Sequence, residues 1–134
     1  MHNLNPISPL GNTKPLSKEF GLYTLSEITS YSLASFTLRK GTEGDARKII
    51  EQFIQGSLPD IMTSNFGKIS SFWIGPSQWL IEAPMETHED LAGELTEISN
   101  GKASVTEQTD AWCRFDLNGQ ELASPLALLC NVDV

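Results

Sequence analysis

Few residues in this chain have the types and spacing that chemistry requires. The two histidines, His2 and His88, stand far apart, and neither lies near a cysteine or a second histidine at the spacing of a metal site. The sequence contains no G-x-S-x-G motif and no G-x-G-x-x-G, and the stretch Gly41–Gly44 lacks the lysine of a phosphate-binding loop. These patterns predict that the chain by itself carries no catalytic residue, no cofactor-binding residue and no metal ligand.

One pair of residues is a candidate for binding a planar ligand. Trp112 and Arg114 alternate along a predicted strand, so an indole and a guanidinium would share one face. The alternative, which we favour, is that this face is the second packed face of a sheet. Several carboxylates are isolated in sequence and give no basis for pairing in acid–base catalysis: Asp45, Glu51, Asp110, Asp116 and Asp133.

Length and composition are those of one folded domain. The chain has 134 residues, of which 40% are apolar and 19% are charged, as in an ordinary globular protein. Its net charge of −8 argues against sequence-independent binding to nucleic acid and to anionic membranes, since both depend on clustered Lys and Arg. No stretch approaches the roughly 18 apolar residues of a membrane span.

The N-terminus and the cysteines indicate the compartment. Two cysteines, Cys113 and Cys130, are too few for a disulfide framework and predict two buried or half-buried thiols in a reducing compartment. The N-terminal segment has no basic start and no continuous apolar run, which predicts that it is not a signal peptide. We therefore expect a cytoplasmic protein.

The most informative stretch is Ile69–Pro84, in which two short apolar runs flank the turn Gly75–Gln78. Proline fixes φ for the second position of a type I or II turn, and apolar runs around such a turn predict a β-hairpin. Pairing about the centre of the turn places Trp73 opposite Trp79. Because both faces of this hairpin would be apolar, we expect a central strand pair, with helices over one face and another layer over the other.

The rest of the chain predicts helices and strands in mixed order. They are a half-buried strand over 33–40, a helix over 43–55 capped by Thr42, a second helix capped by Thr87 with an apolar stripe of Leu91, Leu95 and Ile98, a strand over 111–117, and a last helix kinked or restarted at Pro125. This order predicts an α+β fold, with helices packed on an antiparallel-rich sheet. Residues 1–21 are predicted to form an extended N-terminal arm, and residues 22–134 a single α+β domain.

Three stretches of the chain together resemble a known family. They are S-E-I-T-S-Y-S-L-A-S-F-T-L-R-K-G (26–41), W-I-G-P-S-Q-W-L-I (73–81), and F-D-L-N-G (115–119) followed by the closing L-C-N-V-D-V (129–134). In this order they resemble the gamma subunit of heterotetrameric sarcosine oxidase. The chain departs from the family pattern at Gln120, Pro125 and Asn131, and family members generally continue past the closing motif.

The resemblance implies a fold like one half, plus the crossover, of the folate-binding domain of aminomethyltransferases. It implies a non-catalytic subunit of a complex that oxidatively demethylates sarcosine to glycine, hydrogen peroxide and a one-carbon unit, released as formaldehyde or as 5,10-methylenetetrahydrofolate. FAD, FMN and NAD would then be held by the larger partner subunits. The partners would be the alpha, beta and delta subunits, and the alpha subunit would contact this chain directly. The residues that match the family motif, or are candidates for this partner interface, are Trp73, Gly75, Pro76, Trp79, Leu80, Trp112 and Arg114.

Two other interpretations remain open. The same fold could serve a stand-alone protein that binds folate or transfers one-carbon units, although a fold alone does not assign a function. No acidic residue is placed by a motif to hold a pterin. The third interpretation is a truncated product without function, which would be molten or aggregated in isolation.

Overall fold

The chain folds into two compact units in the computed structural model, which describes residue 5 and residues 7–130. The predictions that concern His2, Asn131, Asp133 and Val134 lie outside the described residues. Ser30–Trp112 form one unit, called here the central unit. The described residues before Ser30 and those from Cys113 onwards form the other, called here the terminal unit.

Eight strands and three helices occur among the described residues. In chain order they are β1 (Ser17–Phe20), β2 (Tyr23–Ile28), β3 (Tyr31–Leu38), α1 (Glu43–Ile54), β4 (Ser64–Asn65), β5 (Ser70–Gly75), β6 (Gln78–Pro84), α2 (Leu91–Ser99), β7 (Ala103–Glu107), β8 (Arg114–Gly119) and α3 (Ala123–Leu129). Every strand pair is antiparallel. The predicted α+β class, with helices and an antiparallel-rich sheet, is confirmed.

The central unit is a five-stranded sheet in the order β4-β5-β6-β3-β7. Helices α1 and α2 pack on one face of this sheet, and their buried side chains lie over the inward residues of β3 and β6. The resulting core contains Ala34, Phe36, Ala46, Ile50, Leu58, Trp79, Ile81, Ala83, Leu91, Leu95 and Ala103. This is the layer of helices that the sequence predicts for one face of the hairpin.

The hairpin β5–β6 has the predicted register. Trp73 lies opposite Trp79, and a β-bulge follows between Trp73 and Gly75. Pro76 and Ser77 form the turn, and Ser77 has φ of +57°, as the third position of a type II turn requires. The hairpin is joined to β3 through β6, so β6 is an inner strand with neighbours on both sides.

Local chemistry explains where the helices of the central unit begin and end. Thr42 is the N-cap residue of α1, as predicted, but its hydroxyl donates to the carbonyls of Arg39 and Lys102 rather than capping the helix. The predicted cap of the second helix is wrong. Asp90, not Thr87, is the N-cap residue of α2, because its carboxylate reaches the Gly93 N–H at 2.9 Å.

Three further expectations need correction. Cys113 and Cys130 were predicted to be buried or half-buried, but both are exposed. Ile98 was predicted in the buried stripe of α2, but it is exposed, and Ser99 is buried at the end of that helix instead. The strand predicted over 111–117 begins only at Arg114 and runs to Gly119, because Ala111 turns back to donate its N–H to the Gln108 carbonyl. Pro125 lies in the first turn of α3. Proline is tolerated there because N–H groups in the first turn have no acceptor within the helix, so no helical hydrogen bond is lost.

The terminal unit is a three-stranded sheet in the order β1-β2-β8, with α3 following in sequence. β1 falls inside the segment predicted as an extended arm, and Ser17–Phe20 pair with β2 in register. The predicted division of the chain after residue 21 stays a prediction.

Candidate functional site

Trp79, the second tryptophan of the family motif, is a structural residue of the central unit. Its side chain is 4% exposed, and its indole Nε1 donates to the Pro59 carbonyl at 2.9 Å. The Arg47 guanidinium lies over the indole at 5.2 Å from the ring centroid, and Arg47 also pairs with Glu51. These contacts hold the loop before β4 and helix α1 against the hairpin.

The other motif residues of the hairpin differ in exposure. Trp73 is half-buried and packs against the core, and its backbone N–H donates to the Thr63 carbonyl at 3.1 Å. Gly75 is buried, Pro76 is exposed, and Leu80 is half-buried on the sheet face opposite the helices. The interface role that the resemblance implies for these residues stays a prediction.

Trp112 and Arg114 do not form the shared strand face that their spacing predicts. Trp112 precedes β8, is 55% exposed and donates from Nε1 to the Gln108 side chain at 3.1 Å. Arg114 is the first residue of β8, and its guanidinium pairs with Asp116 at 3.1 Å. Trp112 belongs to the central unit and Arg114 to the terminal unit, and their role in stacking a planar ligand stays a prediction.

Some titratable side chains of the central unit pair with one another at separate places. His88 Nδ1 lies 2.7 Å from Glu94 Oε2, and the His88 ring meets the Phe53 ring edge to face. A hydrogen bond and the charge of Lys102 hold the pKa of Asp45 below its usual range. No group of three or more His, Cys, Asp or Glu side chains that could hold a metal ion occurs in residues 5 and 7–130, and none of their helices is long and apolar enough to cross a membrane.

The terminal unit presents an uncovered apolar surface. Strand alternation and the register place Phe20, Leu25 and Phe115 on one face of its sheet, with Leu117 beside Leu25. Phe20 is 50% exposed, and Leu25 and Phe115 are exposed as well. We call Phe20, Leu25 and Phe115, together with the flanking Leu10 and Leu16, the open apolar face.

A small cavity lies at the centre of the open apolar face. Its volume is about 130 Å³, and it is lined by the five residues of the face with Lys18 and Glu27. The Lys18 ammonium lies 5.0 Å from the centroid of the Phe20 ring, which forms part of the wall of the cavity. Apart from Lys18 and Glu27, the residues that line the cavity are apolar.

Glu27 fastens the N-terminal segment beside this cavity. Its carboxylate is buried and accepts hydrogen bonds from the Ser8 hydroxyl at 3.0 Å, the Leu10 N–H at 2.8 Å and the Leu16 N–H. Burial alone would raise the pKa of Glu27, but the hydrogen bonds from Leu16, Leu10 and Ser8 outweigh it and hold the pKa below its usual range. The carboxylate thus remains ionised at neutral pH and holds residues 8–16 in place.

The sequence analysis missed the open apolar face and Glu27. A signal was present, because Tyr23–Ser26 alternate between apolar and polar residues shortly after Gly21, which is typical of a strand that follows a turn. The prolines and asparagines before residue 16 instead favour an extended arm, and this signal outweighed the alternation. Leu10 and Leu16 line the same cavity as Phe115, which lies about a hundred residues further along the chain, so no local pattern reveals this grouping.

Comparisons with known proteins add a likeness of fold. The chain matches no protein-family model and no curated protein at significant similarity. Among solved structures it is similar to a chain of the heterotetrameric sarcosine oxidase from Corynebacterium sp. U-96 in complex with pyrrole 2-carboxylate. The TM-score is 0.69 at 17% sequence identity, over 83% of this chain and 57% of that chain. The chain therefore shares the fold of part of a sarcosine oxidase chain and spans little more than half of its length.

Proposed function

We propose that this chain is a non-catalytic, gamma-type subunit of a heterotetrameric sarcosine oxidase. In this role it supports the flavin-dependent oxidative demethylation of sarcosine without binding flavin itself. FAD, FMN and NAD belong to the partner subunits, and the alpha subunit is its direct neighbour. The complex acts in the cytoplasm.

The observation that carries this proposal is the likeness of fold to a chain of a heterotetrameric sarcosine oxidase. The motif set read from the sequence agrees with it, because the W-x-G-P-x-x-W-L residues build the inner hairpin of the matched fold. A fold hosts many functions, so the likeness alone does not assign one. The open apolar face supplies the physical reason for a role as a subunit.

Apolar surface of this kind favours association. The terminal unit has no buried apolar side chain among its described residues, and Ser8 and Glu27 are its buried residues. Helix α3 likewise contains no buried residue, and Leu128 and Leu129 are almost fully exposed. A contiguous apolar surface is unfavourable in water and is characteristic of proteins that are covered by partners.

Co-expression tests the proposal. A tag on this chain should recover the alpha subunit when the alpha, beta and delta subunits of a sarcosine oxidase are produced together, and flavin should accompany the complex. An unrelated acidic protein of similar size with the same tag is the control for charge-driven capture. Recovery of this chain without the alpha subunit would contradict the proposal.

The isolated chain provides a second test. We expect neither sarcosine-dependent hydrogen peroxide formation nor saturable quenching of tryptophan fluorescence by tetrahydrofolate. Saturable quenching would instead support the stand-alone folate-binding function that the sequence analysis leaves open. Adding bovine serum albumin in place of the chain controls for inner-filter loss of fluorescence.

A further inference from the structure

We propose that the open apolar face is the docking site for an amphipathic helix of a partner subunit. The helix places one leucine- or phenylalanine-sized side chain in the cavity and a carboxylate beside Lys18. The inference deepens the proposed function, on which it rests for the existence of a partner, by naming the surface and the chemistry of its occupant. It follows from the shape of the face, the lining of the cavity and the position of its charge.

No described helix or second sheet of the terminal unit buries the open apolar face. A sheet with one apolar face is stable when helices or a second sheet cover that face. In the central unit of the same chain, α1 and α2 perform this task for β3 and β6. On the sheet β1-β2-β8 the corresponding side chains Phe20, Leu25 and Phe115 remain exposed.

The size of the cavity fits one side chain. A cavity of roughly 150 Å³ lined by apolar residues holds a benzene molecule, so about 130 Å³ accommodates a single leucine or phenylalanine side chain. An apolar anchor inserted in a pocket is the usual centre of an interface. A helix offers such an anchor as one projecting side chain of its apolar stripe, with further contacts one turn away along the groove.

The positive charge of Lys18 favours an acidic residue on the partner helix beside that anchor. Two charged side chains line the cavity, Lys18 and Glu27. The Glu27 carboxylate is already taken by three donors from residues 8–16. Lys18 makes no ion pair among the described residues and lies over the Phe20 ring, so the complementary group on the partner is a carboxylate. This preference runs against the net charge of −8, which repels acidic ligands in general.

Two synthetic helical peptides provide the test. They share one leucine stripe at positions i, i+3, i+4 and i+7, and carry either glutamates or lysines beside the stripe. Binding of the labelled peptides to the full chain is followed by fluorescence anisotropy. We expect the glutamate peptide to bind roughly five- to tenfold more tightly than the lysine peptide, and the preference to reverse in Lys18→Glu.

Matched variants separate the site from general effects. Lys68→Glu makes the same charge change on an exposed loop of the central unit and should leave the preference unchanged. Leu25→Asp should abolish binding of both peptides, whereas Leu22→Asp, at an exposed leucine that does not line the cavity, should retain it. Circular dichroism verifies that each variant is folded, and Phe20→Asp on the edge strand replaces Leu25→Asp if that variant unfolds.

Several outcomes would overturn the docking site. Three concern the peptides: saturable binding of neither peptide, a preference of the wild type for the lysine peptide, and binding that Leu25→Asp leaves unaffected. The fourth is self-association of the chain that Leu25→Asp abolishes, because a second copy of the chain would then occupy the face. Co-expression distinguishes the two proposals. Recovery of the alpha subunit by Leu25→Asp at the wild-type level rejects the docking site alone, whereas peptide binding as expected without recovery of the alpha subunit rejects the proposed function alone.

Discussion

The central and terminal units of this chain differ in whether the apolar face of their sheet is covered. Each is built on an antiparallel sheet that has an apolar face. The central unit buries that face under α1 and α2, and Phe36 at its centre is completely buried. The terminal unit leaves its face open, and Phe20 is half exposed. The difference teaches that the hydrophobic stabilisation of this chain is concentrated in residues 30–112.

The terminal unit depends instead on hydrogen bonds to one carboxylate. Glu27 gathers the Ser8 hydroxyl and two backbone N–H groups, and its own N–H donates to the Leu16 carbonyl at 2.8 Å. Hydrogen bonds to a charged group contribute more than neutral ones and are each comparable to the burial of one large apolar side chain. One carboxylate makes only a few such bonds, whereas the core of the central unit buries a whole cluster of apolar side chains. We therefore expect the terminal unit to be the less stable of the two until a partner covers it.

The sharpest test of this comparison truncates one phenylalanine in each unit. Phe36→Ala should lower the free energy of unfolding by about 3–5 kcal/mol, because it removes a completely buried ring from the core. Phe20→Ala should cost less than about 1 kcal/mol, because that ring is half exposed in the isolated chain. Urea titration followed by circular dichroism measures both. Equal losses would show that the terminal unit has a core of its own.

Two glycines extend the comparison to backbone packing. A Cβ added at Gly119 would collide with the Tyr23 ring and lie 2.8 Å from the Leu22 carbonyl oxygen, so Gly119→Ala should destabilise the pairing of β2 with β8 by about 1–3 kcal/mol. Amide exchange in Tyr23–Ile28 measures this loss. Gly44→Ala in α1 is the control, since a Cβ there meets nothing within 4 Å and should stabilise the helix by about 0.5–1 kcal/mol. Unchanged exchange in Gly119→Ala would mean that the added methyl group is accommodated without weakening the pairing of β2 with β8.

Titration to acid pH compares the Glu27 carboxylate of the terminal unit with the Asp45 carboxylate of the central unit. The folded-state pKa of Glu27 lies below its ordinary value, so its contribution to stability is fully present above that value, about 4.3, and is lost as the pH falls through the lower, folded-state pKa. The amide resonances of Leu10 and Leu16 should shift over this acid range, and Glu27→Gln should remove the shift. Asp45→Asn in the central unit, where Lys102 lowers the pKa of Asp45, should leave it unchanged. A shift that persists in Glu27→Gln would assign the titration to another group.

The smallest expected effect concerns the turn of the central hairpin. Ser77 has φ of +57°, a conformation that costs a residue with a Cβ roughly 1 kcal/mol and costs glycine little. Ser77→Gly should therefore stabilise the central unit by up to about 1 kcal/mol, measured by urea titration of tryptophan fluorescence, since the three tryptophans lie in this unit. Pro76→Gly is the opposing control and should destabilise the turn by releasing a fixed φ. A loss of stability in Ser77→Gly would contradict the assignment of a type II turn.

The particular elements show where sequence patterns were sufficient. The pairing of Trp73 with Trp79 and the range of α1 follow from local signals, namely a proline turn and a helical apolar period. The cap of α2 does not, because Thr87 and Asp90 are both acceptable cap residues, and the choice depends on which one lies at the end of a helix already packed on the sheet. Trp112 was misplaced for a similar reason, since a turn through Ala111 ends the alternation that local sequence suggests.

The amino-acid sequence by itself determined the α+β class, the inner hairpin and the resemblance on which the proposed function rests, because turn residues and apolar periods act over a few positions. Tertiary structure alone decided that Leu10, Leu16 and Phe115 line one cavity, and that Glu27 holds a segment up to 19 residues away. Contacts of this kind depend on which strands become neighbours in a sheet. That choice is made by the burial of the whole chain and not by any one stretch of it.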